Sequence, residues 1–357
     1  MRLTKLSVKN FSVFKDVEFD FSSPLTVLIG ENGSGKSTFF QVLKFLKLAQ
    51  EFDIEKVCNE FGGFDQIRTK DTHEGIEITL TAVGIIKRGL IDGTSDIRQH
   101  EHVYKLILNK TSEGVLEKHE EYMENGERVN FKIEPGVMLP FSLSCLFSMI
   151  FFDFDVSKFR GLKKQVDIKN QRVFNEESLA SFLYEYKEKN PETFKKIISN
   201  LISYIPSIED ITVQLIKNVI FIEFKNKGVT SPISYDRMSD GTLKLLMYLT
   251  LIYMPMGYGY SFLCIEEPEK DFYPELLNSI MALFRSYAFQ NQVILSTHFP
   301  TFINELEPEE VLILKKQENG FSQVFSPASD EVVKNLLNEG QSLGSLWGSS
   351  LLTRDRK

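Results

Sequence analysis

A chain of 357 residues with 42% hydrophobic and 25% charged side chains can bury a full core and lacks the composition of a disordered chain. Its formal net charge of −8 leaves no chain-wide electrostatic footprint for nucleic acid, although a local basic groove is compatible with it. Cys58, Cys145 and Cys264 stand far apart with no Cys-x-x-Cys pair, which argues against a disulfide framework or a thiolate zinc site and fits a reducing cytoplasm.

The opening MRLTKLSVKNF has no apolar h-region, so no secretory signal is expected. Residues 3–9 and 17–21 alternate apolar and polar side chains, as half-buried strands do, whereas Leu25–Ile29 is a continuous apolar run that reads as a strand buried on both faces. A Gly-rich turn follows, then a helix over Ser37–Leu48. From Gly75 to Ile133 the pattern is strand-like, clearest at Glu74–Lys87 and His102–Leu108, with turns at Asp92-Gly93, Glu113-Gly114 and Asn125-Gly126. An antiparallel sheet beside the core is expected there, with His100 and His102 as solvated residues.

Residues 135–206 change character. An apolar Phe-rich run (Met138–Phe154) and a basic stretch (Lys158–Lys164) precede helical periodicity from Ser178 to Tyr204, so an inserted, mainly helical lobe is expected. Strands return at Ile211–Ile216 and Val219–Phe224. A helix from about Gly241, a strand at Phe262–Ile265, a helix at Pro274–Tyr287 and a strand at Val293–Ser296 then alternate as βαβ units of a largely parallel sheet do. The uncharged segment Leu245–Ile265 is broken by Pro255, Gly257 and Gly259, leaving halves too short to span a bilayer; it reads as an amphipathic helix, a turn and a buried strand. The expected fold is α/β, organised as residues 1–134, an inserted lobe 135–206 and residues 207–357. Sustained heptads, and with them a long coiled-coil arm, are absent from the sequence.

Four segments carry chemistry. Gly30-Glu31-Asn32-Gly33-Ser34-Gly35-Lys36-Ser37 is a complete G-x-x-x-x-G-K-S phosphate loop between a buried strand and a helix. Its backbone N–H groups and the helix N-terminus suit the α- and β-phosphates, Lys36 the β- and γ-phosphates, and the Ser37 hydroxyl Mg²⁺. In Phe262-Leu263-Cys264-Ile265-Glu266-Glu267-Pro268-Glu269 a buried strand ends in two acids, which need a cation nearby. Glu266 then holds the Mg²⁺ shell, and Glu267 orients or deprotonates an attacking water. Ile294-Leu295-Ser296-Thr297-His298 is a second apolar strand with a polar tip, where His298 is either structural or a sensor of the γ-phosphate. Met238-Ser239-Asp240-Gly241-Thr242 opens a helix, reading both as a cap and as an anion site that a nucleotide on a second subunit would fill.

In this order these segments resemble the ATPase heads of the ABC/SMC class, most closely the RecF-like AAA ATPases. Leu6-Ser7-Val8-Lys9-Asn10-Phe11 with Phe14-Lys15 resembles that family's first strand and turn. Gly30–Ser37 resembles its Walker A, Met238–Thr242 its signature motif, Glu266-Glu267-Pro268-Glu269 its Walker B with catalytic glutamate, and Ser296-Thr297-His298 its switch histidine. Phe152-Asp153-Phe154 and Gly340-Gln341-Ser342-Leu343-Gly344-Ser345-Leu346-Trp347 resemble a compact bacterial branch of predicted ATPases. The resemblance implies an ABC/SMC-type P-loop head with an antiparallel β subdomain and the inserted lobe. It implies ATP and Mg²⁺ as cofactors, with Gly30, Asn32, Gly33, Ser34, Gly35, Lys36, Ser37 and Thr38 binding nucleotide, and Gln66 as candidate Q-loop ligand beside Ser37 and Glu266. It also implies slow ATP hydrolysis by Glu267 and His298. Two heads pair head-to-tail, Ser239 and Gly241 of one facing the nucleotide of the other. Members of the family act in DNA repair or anti-phage defence in the cytoplasm, the compact ones with a separate effector such as a TOPRIM-type nuclease. Two departures are visible: Walker B ends in glutamate, and Phe272-Tyr273-Pro274 stands where relatives often carry a histidine.

Two other functional classes stand beside this one. A self-contained nuclease needs a carboxylate cluster, for which Asp153 and Asp155 are the only tempting pair. A transport ATPase is disfavoured by a signature reading Ser-Asp-Gly-Thr and by the lack of a coupling membrane segment. Lys158, Arg160, Lys163 and Lys164 form a basic loop able to meet phosphate backbones if nucleic acid is a partner.

Overall fold

The computed structural model describes residues 1–89, 95–129, 141–152, 178–217, 219–254 and 261–352. The chain forms two compact units, one of residues 1–151, 260–268 and 285–357, the other of residues 152–259 and 269–284. The Asp92-Gly93 turn, Asp153, Asp155 and the basic stretch 158–164 lie outside the described residues.

In the first unit, β1 (Arg2–Phe11) and β2 (Phe14–Asp20) lead to β3 (Leu25–Gly30) and α1 (Lys36–Glu51). The short helices α2 (Ile54–Glu60) and α3 (Phe64–Ile67) follow, then β4 (Ile76–Gly89), β5 (Ser95–Lys110), β6 (Leu116–Glu124) and β7 (Glu127–Arg128), with α4 (Phe141–Leu146) and β8 (Met149–Phe152) behind them. An antiparallel sheet runs in the order β2-β1-β4-β5-β6-β7. Its inner face alternates as a half-buried sheet must: Ile76, Ile78, Leu80 and Ala82 on β4 meet Tyr104, Leu106 and Leu108 on β5. Leu3 and Leu6 are an odd number of residues apart, yet both are buried. A register shift between Leu3 and Lys5 flips the strand and brings both side chains to the core.

His102 departs from the expected solvated residue. It is 1% exposed, its Nδ1 lies 2.7 Å from the Tyr122 hydroxyl, and its ring stacks on that of Tyr122. His100 does remain at the rim, 3.0 Å from Glu124. In β5 the two histidines share a face with Tyr104, so period two carries His102 into the core.

In the second unit α5 (Leu179–Lys189) and α6 (Pro191–Tyr204) form the expected helical stretch, with Asn190 capping α6 through Thr193 N–H at 3.3 Å. They pack with a small antiparallel sheet of β9 (Ile208–Ile216), β10 (Val219–Asn226) and β11 (Ile233–Ser234), and with α7 (Asp240–Ile252). The segment expected to be an amphipathic helix is buried on all sides: every residue from Thr242 to Thr250 is buried, Lys244 included. An all-round apolar helix belongs inside a core, and its few polar atoms bond locally, as Thr250 does to the Leu246 carbonyl at 2.7 Å. No helix among the described residues is long and apolar enough to cross a membrane.

The remaining elements are α8 (Pro274–Ala288), which crosses the division between units, and β12 (Phe262–Glu266), β13 (Gln292–Thr297), α9 (Pro300–Ile303), β14 (Val311–Lys316), β15 (Ser322–Phe325), α10 (Glu331–Asn338) and α11 (Leu343–Gly348), all in the first unit. Strands β14, β3, β13 and β12 are parallel neighbours in a second sheet ordered β15-β14-β3-β13-β12-β8. Side chains from α1 and from both large sheets share one core, rich in edge-on phenylalanines such as Phe11–Phe45 and Phe39–Phe40. Gln292, 1% exposed, ties the sheets together by accepting from Leu3 N–H at 2.7 Å and donating to the Leu3 carbonyl at 3.0 Å.

Candidate nucleotide site

Strand β3 is buried along its whole length, and α1 starts at Lys36, immediately after Gly35 at φ 105°. That left-handed backbone suits glycine, and a Cβ there would also stand 2.9 Å from the Phe14 ring. Helix α1 has no side-chain cap, so its first N–H groups are left for an anion. The Lys36 ammonium folds back over the loop onto the carbonyls of Gly30 (2.5 Å) and Glu31 (3.1 Å). Behind the loop, Ser322 of β15 donates its hydroxyl to the Ser34 carbonyl at 2.7 Å, in a buried position. The Ser34 hydroxyl itself is buried without a hydrogen-bond partner.

The parallel register sets the opposite side of the site. Glu266 pairs with Ser296 across β12 and β13, and Ser296 with Leu28 across β13 and β3, so three strand tips converge. The Ser37 hydroxyl donates to Glu266 Oε2 at 2.7 Å, joining residues 229 positions apart. Glu267 adopts φ 46°, a left-handed conformation that costs a non-glycine residue about 1–3 kcal/mol. Its N–H donates to the Ser296 carbonyl at 2.9 Å, and its carboxylate lies 3.2 Å from His298 Nδ1. Both side chains are substantially exposed, at 40% and 51%, so this pair adds little stability.

These residues fit a magnesium nucleotide. A serine hydroxyl and a carboxylate at 2.7 Å are hard oxygen donors of the kind Mg²⁺ takes alongside phosphate and water. Among the described residues there is no group of three or more His, Cys, Asp or Glu able to form an all-protein metal cage. The partnerless Ser34 hydroxyl and the uncapped start of α1 supply the donors a polyphosphate needs.

In the second unit, Ser239 caps α7, accepting from Thr242 N–H at 3.3 Å with its oxygen 2.7 Å from Thr242 Oγ1. Gly241 sits so close to the segment after the acidic strand that a Cβ would stand 2.5 Å from the Asp271 carbonyl. Lys244 donates to the Lys270 carbonyl at 2.7 Å and lies 5.6 Å from the centre of the Phe272 ring. Ser239, Gly241 and Arg237 border a cavity of about 970 Å³ whose other walls include Tyr204, Asn226 and Tyr273.

Two family profiles match this chain. A family profile described as AAA ATPase domain covers residues 1–133, and a profile described as AAA domain, AbiEii toxin, Type IV TA system covers residues 147–304. The SmcHead bound to the C-winged helix domain of ScpA superposes with a TM-score of 0.58 at 15% identity, over 94% of this chain and 100% of that one. The chain has the fold of an SMC head, and AAA-type ATPase profiles match both of its parts. Two further heads share the fold. The SMC head domain from Thermotoga maritima has a TM-score of 0.52 at 17% identity, over 91% of this chain and 99% of that one. The Smc head domain with an extended coiled coil, bound to the C-terminal domain of ScpA derived from Pyrococcus furiosus, gives 0.57 at 15%, over 95% and 100%.

Gly30–Thr38, Glu266, Glu267 and His298 belong to one unit, as do Ser239 and Gly241 to the other. Gln66 stands exposed on α3, and no hydrogen bond joins its side chain to Ser37 or Glu266 among the described residues. Helix α3 is itself pinned, with Ser12 N–H donating to the Ile67 carbonyl at 2.6 Å and the Thr69 hydroxyl to the Phe14 carbonyl at 3.2 Å. Sequence reasoning missed Ser322 and Lys244. No motif signals Ser322, whereas a lone lysine inside the apolar run of α7 is a signal for a buried, bonded ammonium.

Proposed function

We propose that this head is a nucleotide-driven switch that binds Mg-ATP at the phosphate loop and hydrolyses it slowly. Two copies close head-to-tail around ATP. The observation that carries this reading is the convergence of Ser37, Glu266, Glu267 and His298 at three adjacent strand tips, with Glu267 held in a strained conformation. Ser37 and Glu266 would hold Mg²⁺, which would supply charge neutralisation for the β- and γ-phosphates. Lys36 turns from the loop carbonyls to phosphate, and the loop amides orient it. Glu267 accepts the proton of, or orients, the attacking water, and His298 steadies that carboxylate and senses the γ-phosphate. Gln66 completes the shell from α3. Ser239 and Gly241, at the start of α7, present their N–H groups and hydroxyl to the nucleotide of the second copy.

Dimer closure then controls a separate effector acting on nucleic acid, such as a TOPRIM-type nuclease, in DNA repair or anti-phage defence inside the cytoplasm. The profile that names AbiEii supports the defence context, and the SMC heads solved with ScpA support a partner protein. Phosphate release by the purified chain tests the enzymatic part. Lys36→Ala loses nucleotide binding, whereas Glu267→Gln keeps binding and loses turnover by about a hundredfold or more. Wild-type turnover from either variant refutes the assignment.

A further inference from the structure

The C-terminal Gln341-Ser342-Leu343-Gly344-Ser345-Leu346-Trp347 run stands out in the sequence, yet no step above uses it. In the structure it becomes α11, laid against the segment that carries His298. Ser342 caps the helix through Ser345 N–H at 3.3 Å, while Leu343 and Leu346, 4% and 0% exposed, anchor it in the core. Gly344 makes the approach possible: its N–H donates to Asn304 Oδ1 at 2.9 Å, and a Cβ there would stand 2.2 Å from the Pro300 carbonyl. One turn on, the Trp347 indole N–H donates to the main-chain carbonyl of His298 at 3.2 Å. Helix α9 is a single turn with no side-chain cap, held by its own bonds, such as Asn304 N–H to the Pro300 carbonyl at 3.0 Å, and by the buried Phe302 and Ile303, all of which lie beyond His298. The adjoining bond runs from Phe299 N–H to Thr297 Oγ1 at 3.0 Å. Helix α11 thus braces residues 298–304 at Pro300, at Asn304 and at the His298 carbonyl.

We propose that Trp347 is a positioning residue for His298, holding its peptide so that the imidazole stays on Glu267. The inference rests on the hydrolytic reading of Glu267 and His298. A bond to the main chain fixes the backbone from which the imidazole projects towards Glu267, 3.2 Å away. Each element of the motif has a part in this: a cap, two anchors, a glycine for close approach and one long donor. The effect falls on the chemical step, because neither Trp347 nor α11 contacts the phosphate loop by any described hydrogen bond.

Trp347→Phe keeps an aromatic ring and removes only the donor. In the full chain it should lower single-turnover hydrolysis about fivefold, the equivalent of one neutral hydrogen bond of about 1 kcal/mol, with Mg-ATP affinity unchanged. In a His298→Ala background the same substitution should lower the rate no further, since the residue acts through His298. A full fivefold loss in that background, or a weakened Mg-ATP affinity as the sole effect, overturns the proposal. Trp347 is the chain's single tryptophan, so its indole N–H gives one resonance for a readout independent of turnover. That resonance should shift on Mg-ATP binding and on His298→Ala. If it does neither, the coupling is refuted even where hydrolysis is measurable. If the resonance responds and the wild type releases no phosphate, the hydrolytic reading fails and the brace stands.

Discussion

Replacing Ser322 by alanine tests whether the phosphate loop is held from behind by β15. Ser322 is 3% exposed and its hydroxyl donates to the Ser34 carbonyl at 2.7 Å, while its own N–H donates to the Val13 carbonyl at 2.9 Å. The alanine variant keeps the strand and its backbone bonds and loses only the side-chain donor. A buried neutral hydrogen bond contributes about 0.5–1.5 kcal/mol, and leaving its acceptor unsatisfied raises the cost towards 2 kcal/mol. If the bond serves to preorganise the loop, nucleotide must reorder it in the variant, so about 1–2 kcal/mol appears as a five- to thirty-fold weaker Kd for Mg-ATP. Isothermal titration with a non-hydrolysable ATP analogue measures this directly. Ser326→Ala, which removes a cap on Ala328 N–H beyond the end of β15, serves as the control and leaves affinity unchanged. An unaltered Kd for Ser322→Ala, together with a lowered denaturation midpoint, would show that the bond does not order the loop for nucleotide. The bond would then stabilise the hairpin and leave the loop untouched.

Two further outcomes concern the scaffold. Tyr104→Phe removes a hydroxyl that accepts from Gln50 at 2.6 Å and donates to Glu120 at 2.5 Å, at the end of α1. Gln50 retains a 3.1 Å bond to Glu120, so a loss of about 1–2 kcal/mol in chemical denaturation is expected, and no change would mean the network is dispensable. Burial, opposed by Glu124 and aided by His100 and the N-terminus, holds the His102 imidazole below its ordinary range. Below about pH 6.5 the unfolded chain therefore binds a proton that the folded chain refuses. Stability from this residue is fully present above that pH and falls as pH drops towards the folded value, by at most about 1.4 kcal/mol per pH unit. Urea unfolding at pH 7.5 and 5.5 should show a shallower loss for His102→Gln than for the wild type, and equal losses would contradict the assignment.

The parts of the site that were legible in the sequence are those whose chemistry is contiguous. The phosphate loop needs its glycines, lysine and serine side by side between a strand and a helix, and β3 and α1 supply that context. The acidic strand tip and Ser296-Thr297-His298 were legible for the same reason, since apolar runs ending in polar residues mark buried parallel strands. What the sequence hid depends on pairs made only by folding. Ser322 and Ser34 are 288 positions apart, and Trp347 and His298 are 49 apart. Helix α7 was misjudged because periodicity reports one apolar face, whereas tertiary packing buried them all. The bulge after Leu3 broke the simple period-two reading of β1 without disturbing its existence as a strand.

On the proposed reading, ATP closes two heads on each other with Ser239 acting across the interface. The solution mass of Glu267→Gln, measured by light scattering with and without saturating Mg-ATP, tests it most directly. Adding Mg-ATP should shift the 41.1 kDa monomer to twice that mass, and Ser239→Arg should abolish the shift. A chain that binds Mg-ATP to saturation and remains at the monomer mass would contradict it.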